Sequence, residues 1–296
     1  MFYETSNKLR VEEKEVIQGL RSLKNRSLLD VNEDFEGKRN AEVHFLFNSN
    51  KTIHTMKNLL TNRGSVRDYL DKEVSNELLE DLLSQAAQSS NTGNMQTYSV
   101  VVTRDEEMKK RLAPLHFNQR MITGAPVVLT FCADYNLFTR WCKERNAEPG
   151  YDNFLSFYCA TIDATIWAQT FCVAAEAADL GICYLGTTTY NAEEIAEALG
   201  LPELVLPVTT ITVGYPAGEV KISDRLPIKS LIHNEKYEEK NIDEAFSAKE
   251  ALPEMQNYVK ENNKETLAQV FTDIRYTKKN NEYFGEKLLK TVEKKF

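Results

Sequence analysis

Leucines three and four apart mark the most regular stretch of this chain. Leu78, Leu79, Leu82, Leu83, Ala86 and Ala87 share one face of a helix, the period expected of an amphipathic element. Ser75 stands where an N-cap belongs, and Glu77 and Glu80 place negative charge at the helix's positive end. A polar turn of Ser89 to Gln96 then gives way to Tyr98-Ser99-Val100-Val101-Val102-Thr103, a β-branched run that reads as a buried strand. Further along, residues 106–112 read as a short helix broken at Pro114, and residues 127–133 as a second buried strand. Residues 134–152 lose the pattern, leaving either a cover for a ligand or an ordinary connection.

Phe154 to Leu180 is the longest apolar segment. Its length suits a membrane span, but Asp163 in its interior and the absence of basic flanks argue for a core helix instead. A helix apolar on nearly all sides is more than one protomer buries easily, so a homodimer with this helix at or near the interface is expected. Gly181 is expected at its C′ position. A strand over 182–186 follows, then a helix over 192–199 with Asn191 and Glu194 as a capping box and Gly200 and Pro202 as its stop. A strand over 208–213 and helices near 247–262 and 281–295 complete the pattern. Strands and helices alternate without internal repeats, which predicts an α+β fold of one layered domain with long helices outside. Residues 1–55 form a charged preface, with one amphipathic helix around Val16, Ile17, Leu20 and Leu23 and an apolar run at Val43 to Phe47.

Composition narrows the function. Across 296 residues the apolar share of 42% supports a sizeable core, and a net charge of −8 opposes a broad nucleic-acid footprint. Five cysteines without a CxxC pair suit a reducing, cytoplasmic setting, and the start of the chain lacks the basic and apolar regions of a signal peptide. His44, His54, His116 and His233 are too scattered to suggest a metal cluster.

Candidate chemistry gathers in three polar stretches. Arg63-Gly64-Ser65-Val66-Arg67 offers two guanidinium forks and a hydroxyl, a set suited to a phosphate or a delocalised anion. Two arginines on a solvated surface explain the same residues. Asn91-Thr92-Gly93-Asn94-Met95-Gln96 offers amides that can read the edge of a heterocycle. Arg275, with Lys278 and Lys279, is either a charged helix end or a reader of a 2′-phosphate.

These stations, in this order, together with Gln119 ahead of Ala125-Pro126, Leu180-Gly181 through Tyr184-Leu185-Gly186, and Val213-Gly214-Tyr215-Pro216 ahead of Arg225-Leu226-Pro227, resemble the nitroreductase family. The likeness is greatest to its oxygen-insensitive, flavin-reductase-like branch, over residues 56–232 and more loosely to 296. The resemblance implies FMN as cofactor, NADPH or NADH as donor, and a small-molecule acceptor such as a nitroaromatic, a quinone or a flavin, reduced in a ping-pong cycle by a homodimer.

The same resemblance assigns roles to particular residues. Arg63, Ser65 and Arg225 would bind the FMN phosphate, and Arg67 would support negative charge at the pyrimidine edge. Asn91, Thr92, Gly93, Asn94 and Met95 would lie along the flavin, often from the partner subunit. Gln119 would reach the ring, and the backbone at Tyr184, Leu185 and Gly186 would approach its reactive nitrogen. No catalytic side chain and no metal is required. Two positions depart from the pattern: Gly64 stands where the branch has arginine, and Ser223 where many relatives have lysine, with Lys221 as a substitute. A reductive dehalogenase with a lid over 134–152, and a flavin-binding or helical interaction module without catalysis, are the rival readings.

Overall fold

The computed structural model describes residues 58–296, so the preface, including the expected helix and apolar run within it, lies outside the described residues. Four antiparallel strands form one sheet in the order β1-β2-β4-β3, with β1 at Tyr98–Thr103, β2 at Val127–Asp134, β3 at Gly181–Leu185 and β4 at Val205–Gly214. Helices cover both faces, which is why central β2 is buried without alternation from Val127 to Ala133, apolar but for Thr130. On one side Val127, Leu129 and Phe131 pack beneath α1 (Asn76–Ala86) and α5 (Phe154–Ala177). On the other, Val128 joins Leu112, Met121 and Ile122 from α2 (Glu106–Leu112) and α3 (Met121–Gly124), and Ile195 from α6 (Ala192–Leu199). Burying a large aliphatic or aromatic side chain contributes about 1.5–3 kcal/mol.

Local chemistry explains most boundaries. Ser75 accepts from Leu78 N at 3.2 Å to start α1, and Asp105 accepts from Met108 N at 2.8 Å to start α2. Gly200, at φ 67°, ends α6 in the left-handed region. Pro207 lies inside β4, where the register slips between Phe131 and Cys132; having no N–H to give, it sits at the bulge.

Several expectations are corrected. β1 is half-buried rather than buried, because it is the edge of the sheet. Residues 134–152 contain a helix, α4 (Asn136–Glu144), started by Asp134, which accepts from Asn136 N at 2.9 Å. β4 runs longer than residues 208–213. The tail helix near 247–262 is two helices, α7 (Ile242–Glu250) and α8 (Pro253–Glu261), parted at Pro253. After α9 (Leu267–Val270) and a π-turn at Phe271–Arg275, α10 (Lys278–Lys295) returns to the core, where Val292 packs with Ala192, Ala196 and Leu206. Asn191 makes no side-chain cap; it donates to Leu115 O at 2.6 Å and accepts from Lys287 Nζ at 2.9 Å. Among the described residues no helix is long and apolar enough to cross a membrane.

Gly181 does not end α5. Asp179, at φ 60°, occupies the left-handed C′ position, and Leu180 N reaches back to Ala175 O at 3.0 Å. Gly181 opens β3 instead, and the reason it has no side chain is packing: a Cβ there would lie 2.5 Å from Val66 Cγ2. Gly181→Ala should destabilise the fold by about 1–3 kcal/mol through overpacking, and Val66→Ala in the same chain should recover much of it; urea unfolding of wild type and the two variants measures both.

Candidate functional site

The basic hook meets β3 at a single parallel bridge. Ser65 bridges Ile182 in parallel register, and Val66 N donates to Ile182 O at 2.8 Å. Beyond it, Leu70 N donates to Tyr215 O at 2.9 Å, and the buried Tyr69 hydroxyl donates to Val66 O at 2.8 Å and meets Thr212 Oγ1 at 2.7 Å. Desolvation raises the Tyr69 pKa, so this hydroxyl keeps its proton for those bonds. Arg63, Ser65 and Arg67 therefore run in the direction of β3. At about 3.3 Å per residue, Ile182 and Gly186 are about 13 Å apart, so the hook and the turn after β3 mark the two ends of an elongated surface.

At the hook end Arg63 Nε donates to Glu176 Oε2 at 2.9 Å, and a cavity of about 250 Å³ opens beside the pair. Ser65 and Arg67 are exposed, and Arg67 makes no ion pair among the described residues. Gly64 explains its own departure from the family pattern: a Cβ would lie 2.3 Å from Lys221 O, so the 220–221 segment crosses where a side chain would project. Lys221 is thereby brought to the hook. Arg225 is not visibly turned to it, since its Nη1 donates to the carbonyls of Ser223 and Asp224 at 3.2 and 2.8 Å.

At the far end, Leu185 and Tyr184 offer only backbone, because Leu185 packs on the core below and Tyr184 against the α1–α5 core. The Tyr184 hydroxyl is buried and its pKa raised by desolvation. Gly186 faces open space. Gln119 Nε2 donates to Thr187 Oγ1 at 3.3 Å, and the same hydroxyl lies 2.9 Å from Nδ1 of the fully buried His116. Burial holds the His116 imidazole neutral, its pKa pushed down to about 4. The Thr187 hydroxyl thus joins the Gln119 amide to the His116 ring, while the His116 Nε2 is buried with no hydrogen-bond partner among the described residues.

The Asn91–Gln96 stretch is pinned elsewhere. Thr92 N and Oγ1 both donate to the Asp163 carboxylate at 3.0 Å, and Thr97 Oγ1 does so at 3.2 Å. Gly93, Asn94 and Gln96 all take positive φ, closing a tight turn over Asn91, whose Oδ1 accepts from Gln96 N at 3.3 Å; Met95 packs on Tyr135 and Ala160. Asp163 and Glu176 stand thirteen residues apart on α5, about 20 Å at 1.5 Å per residue. Within one chain, then, the Asn91–Met95 turn and the hook are held apart. Arg275 lies over Phe271 and Tyr276 at 5.6 Å. Among the described residues no group of His, Cys, Asp and Glu could hold a metal.

Sequence reasoning missed Asp163, Glu176, His116 and Thr187 as parts of the site. Two of them had a signal: acids within an otherwise apolar helix are costly unless they are paired.

Residues 60–215 match the nitroreductase family, and the chain belongs to it. It is 33% identical over 193 residues to a Cr(VI) reductase of Pseudomonas sp. (strain G-1), covering 65% of this chain and 79% of that protein. It is 33% identical over 212 residues to an FMN reductase [NAD(P)H] of Bacillus subtilis (strain 168), covering 70% and 84%. The crystal structure of a Bacteroides fragilis NCTC 9343 protein, 54% identical, superposes with a TM-score of 0.79 over 80% of this chain and 98% of that one.

His116 generates a pH prediction. Its pKa is about 4 folded against 6.5 in the free side chain, so between those values the unfolded chain binds a proton that the fold refuses. The stabilisation is complete above pH 6.5 and is lost as pH falls through the window. Lowering pH from 7.5 to 5 should cost about 2 kcal/mol through this group, and His116→Gln should lack that increment in urea unfolding at the two pH values.

Proposed function

We propose that this chain is an NAD(P)H-dependent, FMN-containing oxidoreductase that passes electrons to small-molecule acceptors such as nitroaromatics, quinones or flavins, working as a homodimer. One observation carries the reading: the hook and β3 lie side by side in parallel, with cationic donors at one end and an open glycine turn at the other, a surface as elongated as a mononucleotide. The donor set fits FMN. Arg63, Ser65 and the neighbouring Lys221 suit a phosphate, Arg67, which has no ion-pair partner among the described residues, suits the electron-rich pyrimidine edge, and Gly186 leaves room for a ring to approach the backbone.

FMN, when bound, supplies the hydride chemistry, taking electrons from a nicotinamide and releasing them to an acceptor. The protein's own residues bind and orient. Arg67 would supply positive charge at the pyrimidine edge, and Thr187 holds the Gln119 amide. No side-chain nucleophile or acid is needed. The five thiols are all free, in keeping with the cytoplasm as the place of action.

Support for the dimer comes from α5. Phe154, Tyr158, Ile162 and Ile166, four residues apart, are exposed on one helix face, and Leu155 beside them is 70% exposed. A contiguous apolar stripe of this kind marks an association surface. It also offers a way to bring a partner's Asn91–Met95 turn to the hook that its own chain cannot reach.

Two measurements test the reading. Purified protein should show oxidised-flavin bands that bleach anaerobically with NADPH or NADH, and Arg67→Ala should slow that bleaching about a hundredfold, as loss of an aimed donor does; a colourless protein that takes up no FMN overturns the assignment. Ile162→Asp should elute at monomer size and lose its flavin, whereas a flavin-loaded Ile162→Asp monomer would show that one chain suffices.

A further inference from the structure

Glu176 stands in a costly place. It lies in the last turn of α5, where the helix end carries negative partial charge, and its side chain is only 10% exposed. One oxygen, Oε2, accepts from Arg63 Nε at 2.9 Å; the other, Oε1, is buried with no partner among the described residues. Burial raises its pKa and the Arg63 guanidinium opposes that rise. The pair forms one wall of the 250 Å³ cavity, with Gly64, Val66, Gly181 and Val220 around it. Because Glu176 grips Arg63 through Nε alone, the edge bearing the two Nη groups makes no hydrogen bond among the described residues. That edge is the pair of parallel donors that recognises a phosphate.

We propose that Glu176 is a positioning residue: by holding Arg63 through Nε in the cavity wall, it presents the two Nη donors as a preset fork for the phosphate of the flavin mononucleotide. An untethered arginine would lose its rotamer freedom on binding; here that freedom is already spent in the fold. The role rests on the reading of the hook as the phosphate end of the site.

Riboflavin provides the control, since it shares everything with FMN but the phosphate. Dissociation constants for both, measured by quenching of flavin fluorescence, are compared in wild type, Glu176→Gln and Glu176→Ala. Wild type should prefer FMN. Glu176→Ala should lose about tenfold or more of that preference, the scale of a charged hydrogen bond, with riboflavin affinity unchanged. Glu176→Gln, which keeps an acceptor oxygen, should stay close to wild type, and Glu176→Ala should add nothing in an Arg63→Ala background. Glu176→Met, of similar length, takes the place of Glu176→Ala if the smaller residue does not fold.

Four results overturn the proposal: an undiminished FMN preference in Glu176→Ala, an equal loss for both ligands, a further loss in the Arg63→Ala background, or tighter FMN binding, which would make Glu176 a competitor for Arg63. Equal affinity of the wild type for FMN and riboflavin removes the phosphate reading itself, and this role with it.

Discussion

The burial of α5 against the sheet is the constraint on which the rest depends. Trp167, Phe171 and Ala175 close the core over Phe131, Ile182 and Ile211, and Trp167 ties α1 in through Nε1 to Leu83 O at 3.1 Å. Once the helix is seated, its two inward acids become fixed anchors. Asp163 gathers three donors from the 92–97 turn, and Glu176 takes Arg63. Asp163 is satisfied by its three donors, and Glu176 is paired through one oxygen. The same helix thus builds the core and spaces two parts of the site.

A second constraint is close approach to glycine backbone. Gly181 admits Val66, and Gly64 admits the carbonyl of Lys221. These approaches let a segment with no regular structure lie against β3 and β4 as though it were a strand, with Tyr69 as its clasp. The departure of Gly64 from the family pattern is accounted for by this crossing: a side chain there and the observed path of residues 220–221 exclude each other.

The fold was legible wherever a segment's partner was close in sequence or its period was long. The leucine spacing and Ser75 cap of α1 and the apolar run of β2 each carry their own signal. Position within the sheet was not legible, because a β-branched run such as Tyr98–Thr103 reads alike at an edge and at the centre. Helix α4 was missed because it is only nine residues long and its start depends on Asp134, at the end of a strand, although Leu137, Phe138, Trp141 and Cys142 keep helical spacing.

For the site, the sequence by itself determined which residue types were available and their order: two arginines and a serine in a hook, an amide-rich turn, a glycine after β3. Their ordered likeness to one family brought in the cofactor. Only the tertiary structure decided that the hook runs parallel to β3, that Gln119 and His116 meet at Thr187, and that Arg63 is gripped by Glu176. The partners in the last two meetings are 68, 71 and 113 residues apart along the chain. No local period or motif encodes a contact of that kind, because it arises only when separate elements bury their apolar faces together.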